Sequence, residues 1–421
     1  MPTRDQLSRR LERTEAYLQD TLLPFWIKRA PDPAGGFLSH FDRHGEPTGA
    51  TTKTFLMQIR LVYTFSHAAR AGHHTDRCLE LARAGADFVL DHYWDEQHGG
   101  WYWVADRDGQ PTVRNKIGYG QCFAMYAMGE YWLATGDPRG REAMERTVAV
   151  VEEKMADPVH GGYLEIMERD WSPTPGPRSG GDRKSLDVHM HMMEALTTVY
   201  EVTGDDEDRA RLEAVIAILL DRMIDPEHGT GLMQFTPDFT PVRAIRFEGV
   251  AWGRDEDPDG EDSFPLDTTS YGHNVELGWL LLRAADALGV ERRRYAPVVQ
   301  RISDHCLSFG IDEAHGGVYV DGPAAAHTSN RKKQFWQQAE VMVGMLDAWS
   351  LLGDDRYWAA YENVDDFVFD HMIAWEGGGE WYGLCAQDGT PMWTDLATDY
   401  KISYHTVRAM VGVTARLRAL L

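Results

Sequence analysis

The chain has 421 residues and a formal net charge of −24 at pH 7, with 42 Lys and Arg against 66 Asp and Glu. This charge disfavours nucleic acid and anionic membrane surfaces as partners, because both would repel the protein. Its four cysteines form no Cys-x-x-Cys pair, and no apolar stretch resembles a signal peptide or a membrane span, so we expect a cytoplasmic protein without a thiolate metal site.

A short glycine-containing loop recurs six times along the chain. The copies begin at Gly35, Gly99, Gly161, Gly229, Gly316 and Gly378, at intervals of 64, 62, 68, 87 and 62 residues. A repeat of this length indicates one structural unit arranged around an axis. Each interval has room for two helices, which predicts an all-α (α/α)6 barrel of about twelve helices over residues 1–421, as a single domain.

Apolar segments that end at glycine alternate with the repeated loops. The segments cover residues 122–133, 191–200, 276–287 and 339–352. Each is long enough for a helix, and a glycine at its end is typical of a helix C-terminus. The residues after each repeated loop, such as 101–104 and 317–320, predict short β-hairpins at the barrel rim. Two longer loops, 171–183 and 253–267, are expected to shape a pocket there.

Histidines stand where three of the inner helices should begin. They are His191 in the segment 186–194, His273 in the segment 271–276 and His405 in the segment 401–405. In a helical barrel, residues at these junctions point into a shared cavity. Because the pKa of histidine lies near neutrality, two such groups could act on opposite faces of one carbon atom.

A metal site is the alternative reading of the segment that contains His189 and His191. On a helix, however, residues two positions apart do not face the same way. We therefore expect one of the two side chains to point inward and the other aside. This spacing disfavours a metal site, so no metal is expected. No phosphate-binding glycine-rich loop is present in the sequence, so no cofactor is expected either.

Taken together, these segments resemble the N-acylglucosamine 2-epimerase superfamily, which includes cellobiose 2-epimerases and has an (α/α)6 barrel. The resemblance extends over essentially the whole chain. The matching segments are 53–60 with 63–66, 119–124, 187–191 with 194–195, 272–276 with 279–281, 335–340, and Lys401 with 404–405 and 408–409.

By position, the resemblance implies a role for several residues. His273 and His405 correspond to an acid/base pair, His191 to the histidine that assists ring opening, and Arg60 to the arginine that holds the carbonyl-side oxygens of a sugar. His189 has no corresponding role. The residues expected to bind the sugar or orient the site are Tyr119, Asp187, Glu276, Trp336, Glu340, Trp381 and Tyr400.

The expected function is C2 epimerisation of a free reducing aldose. The expected steps are ring opening, removal and return of the C2 proton by two histidines, and a cis-enediolate intermediate. Asp187, Phe335 and Tyr400 stand where disaccharide epimerases usually have Asn, Trp and Trp. D-mannose and D-glucose are therefore expected at least as much as the reducing-end sugar of cellobiose, acted on by a monomer or homodimer.

Three alternatives remain from the sequence. An aldose–ketose isomerase of the mannose/fructose type would use the same barrel and the same enediolate. A glycoside hydrolase would need two carboxylates at a fixed separation, for which Asp267 and Glu340 are the available pair. A sugar-binding barrel without activity would keep the aromatic residues but would not need histidines at three helix starts.

Overall fold

Glycine ends the inner helices at the positions that the sequence predicts. Gly136 and Gly204 adopt left-handed backbone conformations, with φ of 68° and 64°, directly after helices of 18 residues each. A residue with a side chain would be strained in this conformation, so glycine stops the helix and lets the chain reverse. At the other end, Ser185 and Ser270 accept hydrogen bonds from backbone N–H groups of the first turn.

The computed structural model describes residues 2–176, 178–247 and 263–421. Of the two predicted rim loops, residues 253–262 and residue 177 lie outside the described residues. The helices are α1 (Arg4–Tyr17), α2 (Leu23–Arg29), α3 (Phe55–Arg70), α4 (Thr75–His92), α5 (Gly118–Thr135), α6 (Pro138–Lys154), α7 (Leu186–Thr203), α8 (Asp206–Arg222), α9 (Tyr271–Leu288), α10 (Ala296–His305), α11 (Phe335–Leu352), α12 (Asp355–Phe367) and α13 (Ser403–Leu420).

Six of these helices form a closed inner ring. The ring runs in chain order: α3 packs against α5, α5 against α7, α7 against α9, α9 against α11, α11 against α13, and α13 against α3. The helices α4, α6, α8, α10 and α12 form the outer layer, which α1 and α2 complete, since α1 packs on α13. A π-helical turn over Leu18–Leu22 joins α1 to α2, so these two count as one outer helix. The predicted (α/α)6 barrel is confirmed.

Short antiparallel strands lie at the end of the barrel where the inner helices begin. Within the described residues they form five small sheets, with the orders β1-β2-β3, β4-β5, β6-β7-β8, β9-β10 and β11-β12-β13. The strands are β1 (Lys53–Thr54), β2 (Val104–Ala105), β3 (Pro111–Val113), β4 (Lys116–Ile117), β5 (Ile166–Met167), β6 (Lys184–Ser185), β7 (Gln234–Phe235), β8 (Pro241–Val242), β9 (Thr268–Ser270), β10 (Asp321–Pro323), β11 (Lys333–Gln334), β12 (Leu384–Cys385) and β13 (Pro391–Trp393).

A buried lysine anchors the start of five inner helices to the preceding glycine loop. In the second repeat, for example, Lys116 Nζ lies 3.1 Å from Asp95 Oδ2, and both side chains are fully buried. The other four ion pairs join Lys53 to Asp32, Lys184 to Asp157, Lys333 to Asp312 and Lys401 to Glu380. Before α9, Thr269 takes this position, and its hydroxyl donates to the carbonyl of Gly231 at 2.9 Å. These anchors fix where each inner helix begins.

No helix in the described ranges combines the length and the apolar character needed to cross a bilayer.

Candidate active site

A cavity of about 450 Å³ opens among the starts of the inner helices and the rim strands. Its volume lies within the range of pockets that hold small molecules. Eleven lining residues belong to the first two turns of inner helices: Leu56, Arg60, Tyr119, Asp187, His191, His273, Glu276, Phe335, Trp336, Gln337 and His405.

All of these residues except Phe335 occupy equivalent places in the repeat. Counted from the anchoring Lys, or from Thr269 before α9, they stand at positions three, four and seven. Residues with this spacing share one face of a helix, which here is the face toward the barrel axis. Position five faces the other way, and there Gln58, Gln121, His189, Asn274 and Gln338 each accept a hydrogen bond from a backbone N–H of the glycine loop.

His189 and His191 therefore point apart, as the helical spacing predicts. His189 Nε2 accepts a hydrogen bond from the backbone N–H of Tyr163 at 3.0 Å, and its Nδ1 lies 2.8 Å from the carbonyl oxygen of Ser185. Its ring is fully buried outside the cavity, while His191 lines the cavity. The two histidines do not share a ligand position, and His189 is a structural residue.

His405 is held in an orientation suited to a base. Its Nδ1 lies 2.7 Å from Glu340 Oε1. Burial, together with the positive charges of Arg60 and Arg408, lowers the pKa of His405 well below its usual value of 6.5. At neutral pH the ring is therefore neutral. If Nδ1–H donates to Glu340, the lone pair of Nε2 is available on the cavity side.

His273 and His405 both lie close to the indole of Trp336. The ring centroids of His273 and Trp336 are 4.5 Å apart, and those of His405 and Trp336 are 5.8 Å apart. The Nε2 atom of His273 lies 3.5 Å from Asp187 Oδ1. The two histidines of the predicted acid/base pair thus line one cavity, together with an aromatic surface close to both on which a sugar could pack.

His191 stands between two carboxylates. Its Nδ1 lies 2.9 Å from Glu194 Oε2, and its Nε2 lies 3.4 Å from Asp187 Oδ1 and 3.2 Å from the hydroxyl of Tyr119. Burial opposes the charged form, but the hydrogen bonds to Asp187 and Glu194 and the negative charge of Glu276 outweigh it and raise the pKa of His191 to about 9. At neutral pH this ring is an imidazolium.

Arg60 presents a fixed positive charge at the cavity wall. Its Nη2 donates to the hydroxyl of Tyr119 at 2.6 Å, and its guanidinium carbon lies 4.3 Å from the ring centroid of Phe123 and 4.6 Å from that of Tyr404. These aromatic faces favour the cation and restrict its movement. A guanidinium held in this way can stabilise negative charge that develops on a ligand oxygen.

Arg408 joins the carboxylates beneath the cavity. Its Nη2 lies 2.6 Å from Glu276 Oε1 and 2.7 Å from Glu340 Oε1, and its Nη1 donates to Glu194 and to the hydroxyl of Tyr404. Burial and repulsion by Glu340 raise the pKa of Glu276. One donor atom from each of Glu276, Glu340 and His405 lies within 4.8 Å of the others, a spacing that could hold a metal ion. Arg408, however, already binds both carboxylates and supplies the positive charge between them.

Comparison with known proteins places the chain in a family. The family model for N-acylglucosamine 2-epimerase matches residues 35–409. The chain belongs to this family. It is 25% identical to the cellobiose 2-epimerase of Ruminococcus albus, over 95% of this chain and 97% of that protein. It is also 25% identical to the D-mannose isomerase of Marinomonas mediterranea, over 96% of each chain.

The fold is shared with solved members of the family. The structure of cellobiose 2-epimerase from Spirochaeta thermophila superimposes with a TM-score of 0.85 at 27% identity and covers the whole of both chains. The family resemblance inferred from the sequence is therefore confirmed, and the named relatives are sugar epimerases and isomerases.

The structure corrects the expectation for Trp381. Its side chain is fully buried, and its indole N–H donates to the hydroxyl of Tyr17 at 2.9 Å. It therefore stabilises the contact of α1 with the last glycine loop and does not line the cavity. Tyr400 does line the cavity, whereas Glu340 lies beneath it and acts on the site through His405.

Two residues of the site were not selected from the sequence. Glu194 contacts His191, and Arg408 connects three carboxylates. A signal for Arg408 was present, because it stands seven residues after Lys401, as Arg60 stands seven residues after Lys53. Glu194 is visible only as the glutamate one helical turn after His191.

Proposed function

We propose that this protein epimerises C2 of a free reducing aldose. The observation that carries the proposal is the pair His273 and His405, which line one cavity and both lie close to Trp336. A base on one side of a sugar carbon and an acid on the other can invert that carbon. The family and the activities named for its members support the same reaction.

The reaction begins with ring opening, because the C2 hydrogen becomes acidic only beside a free carbonyl group. His191, at the cavity wall, assists this step. One histidine of the pair then removes the C2 proton, and the electron pair forms the enediolate. Arg60 stabilises its negative oxygen. The other histidine returns a proton to the opposite face of C2.

The protonation state of His405 indicates which histidine of the pair starts as the base. His405 is neutral at neutral pH, since burial and two arginines lower its pKa. His273, the other histidine of the pair, lies 3.5 Å from Asp187 through its Nε2 atom. We therefore assign His405 as the base and His273 as the acid in the resting enzyme, and the reverse for the opposite epimer.

Two features bear on the substrate. The cavity continues from the histidines to an aromatic rim formed by Trp103, Trp393 and Tyr400. A pyranose can pack its apolar face on such rings. We propose D-mannose and D-glucose as substrates, with cellobiose as a further candidate because relatives over the whole chain carry that name.

We further propose that residues 1–421 act as one catalytic unit in a reducing, cytoplasmic compartment. The contact of α13 with α3 closes the inner ring, so every repeat contributes to one cavity. The four cysteines are all unpaired and buried, which fits a compartment that keeps thiols reduced.

The test is incubation with D-mannose, D-glucose and cellobiose, followed by proton NMR of the sugars formed. Mannose and glucose that interconvert without other products would support the proposal. Fructose as the main product would instead make the protein an isomerase, the second candidate, which the D-mannose isomerase relative favours. Free glucose from cellobiose would indicate hydrolysis, although Asp267 is exposed and Glu340 is held by Arg408.

A further inference from the structure

His191 has a carboxylate on each side of its ring. Glu194 lies 2.9 Å from Nδ1, and Asp187 lies 3.4 Å from Nε2. A neutral imidazole has one N–H and can donate to only one of two carboxylates, whereas an imidazolium donates to both. The Tyr119 hydroxyl, which accepts from Arg60, is the nearer partner of Nε2 at 3.2 Å. Burial opposes the charged form, but the two carboxylates beside the ring nevertheless raise the pKa of His191 to about 9, so the ring is charged at neutral pH.

A charged His191 cannot perform ring opening alone. Opening a cyclic aldose requires one group that takes the proton of the C1 hydroxyl and another that gives a proton to the ring oxygen. An imidazolium can give a proton but has no lone pair to accept one. A base must therefore stand beside it, within reach of the same sugar.

Asp187 meets this requirement. It lines the cavity, and its side chain is 20% exposed, so a ligand can reach it. It belongs to the first turn of α7, where the helix dipole favours a negative charge. The other charged or titratable groups that line the cavity near it are His273, Arg60, Glu276 and Arg246, and Glu165 lies on its other side in a small adjoining pocket.

We propose that Asp187 is the base of the ring-opening step and forms an acid/base pair with His191. The inference rests on the proposed function and assigns a chemical role to a residue otherwise expected only to bind the sugar. Asp187 takes the proton from O1 while His191 gives the proton from Nε2 to O5.

The step balances in protons and electrons. The O1–H bond breaks and its electron pair forms the second C1–O1 bond. The C1–O5 bond breaks and its electron pair stays on O5, which receives the proton of His191. Asp187 then holds a proton and His191 is neutral. Transfer of that proton from Asp187 to Nε2, across the 3.4 Å contact, restores both groups.

The test compares Asp187→Asn with the unaltered protein on two kinds of substrate. D-mannose must be opened before C2 can react, whereas D-glyceraldehyde is an α-hydroxy aldehyde too short to close a pyranose or furanose ring. Deuterium incorporation at C2 in D2O is measured for both by NMR. Asp187→Asn should lose at least about 100-fold of the incorporation into mannose, the contribution of one acid/base group, and stay within about threefold for glyceraldehyde.

Two controls make the comparison decisive. Asp221→Asn makes the same chemical change at an exposed position of α8 and should leave both rates unchanged. The thermal unfolding midpoint of Asp187→Asn, with Asp187→Ser as a second variant, shows whether the fold is intact.

Anomer interconversion of mannose, which requires ring opening but no reaction at C2, should be accelerated by the unaltered protein and not by Asp187→Asn.

Equal loss with both substrates would overturn the inference, because Asp187 would then act at C2 and not at the ring. Anomer interconversion that Asp187→Asn accelerates as well as the unaltered protein would overturn it too. Failure of the proposed function has a different signature: the unaltered protein would incorporate no deuterium at C2 of either substrate.

Discussion

Replacement of His189 by glutamine should leave the protein folded and active. The same replacement of His191, two residues later, should cause a loss of activity. His189 stands where three other repeats have Gln58, Gln121 and Gln338. Gln338 Oε1 accepts from the N–H of Val318, and its amide nitrogen lies 3.1 Å from the carbonyl of Gln334, four residues earlier. His189 makes the same two contacts with its ring nitrogens.

The magnitudes follow from these contacts. His189→Gln keeps both hydrogen bonds, so the free energy of unfolding should change by less than about 1 kcal/mol at neutral pH. His189→Ala leaves the N–H of Tyr163 and the carbonyl of Ser185 without the imidazole that they contact, and it creates a cavity. An unsatisfied buried group costs about 1–3 kcal/mol and a large-to-small change about 2–5 kcal/mol, so a loss of about 4 kcal/mol is expected.

Low pH should increase the difference in stability between the unaltered protein and His189→Gln. Burial lowers the pKa of His189 to about 4, below its unfolded value of 6.5. The unfolded chain therefore binds the proton first, and stability falls as the pH drops below 6.5. At pH 5 this costs the unaltered protein about 2 kcal/mol, from 1.5 pH units at about 1.4 kcal/mol each. Glutamine does not titrate, so His189→Gln should be more acid-resistant by that amount.

The assay is urea unfolding of each variant at pH 7.5 and pH 5, with epimerase activity measured in parallel. His44→Gln, at an exposed position, is the matched control and should leave the pH dependence unchanged. A His189→Gln variant that unfolds at neutral pH, or that loses activity as His191→Gln does, would refute the structural role given to His189.

Further predictions concern the anchors, the arginine cluster and the acid/base groups. Asp95→Asn leaves the ammonium of Lys116 buried without its partner and should cost about 3–5 kcal/mol in urea unfolding; an unchanged midpoint would contradict the anchor role. Arg408→Lys should lower kcat more than it changes KM, because a lysine cannot hold the carboxylates in the same geometry. Turnover should decline as the pH rises through about 9, where His191 loses its proton; a rate that is level to pH 10.5 would contradict its role as the acid. His405→Asn should lose about 10³-fold of turnover at unchanged stability.

The fold could be predicted because its signal is local and repeated. Glycine loops at near-constant intervals indicate the repeat, and Gly136 and Gly204 mark helix ends through a backbone conformation that few other residues adopt. Neither signal depends on which residues meet in space. The closure of the ring between α13 and α3 follows once the number of repeats is known.

The sequence predicts the site residues that lie near the starts of inner helices. It predicts less well those whose role depends on contacts between distant parts of the chain. His191, His273 and His405 could be identified because each lies in the first two turns of an inner helix. The sequence does not reveal that Arg408 would connect three carboxylates from different helices, because those contacts join residues far apart in the chain. Trp381 was wrongly expected to bind sugar, since an aromatic residue after a glycine loop looks the same whether it faces the cavity or α1.

The central claim is that two histidines act on opposite faces of C2, and isotope distribution tests it most directly. D-mannose is converted in D2O to less than about a tenth of completion, and deuterium at C2 is measured separately in the glucose formed and in the mannose that remains. We expect deuterium in the product and almost none in the remaining substrate, because the proton removed by one histidine is not the one returned by the other. Equal deuterium in both sugars would indicate a single base and contradict the account.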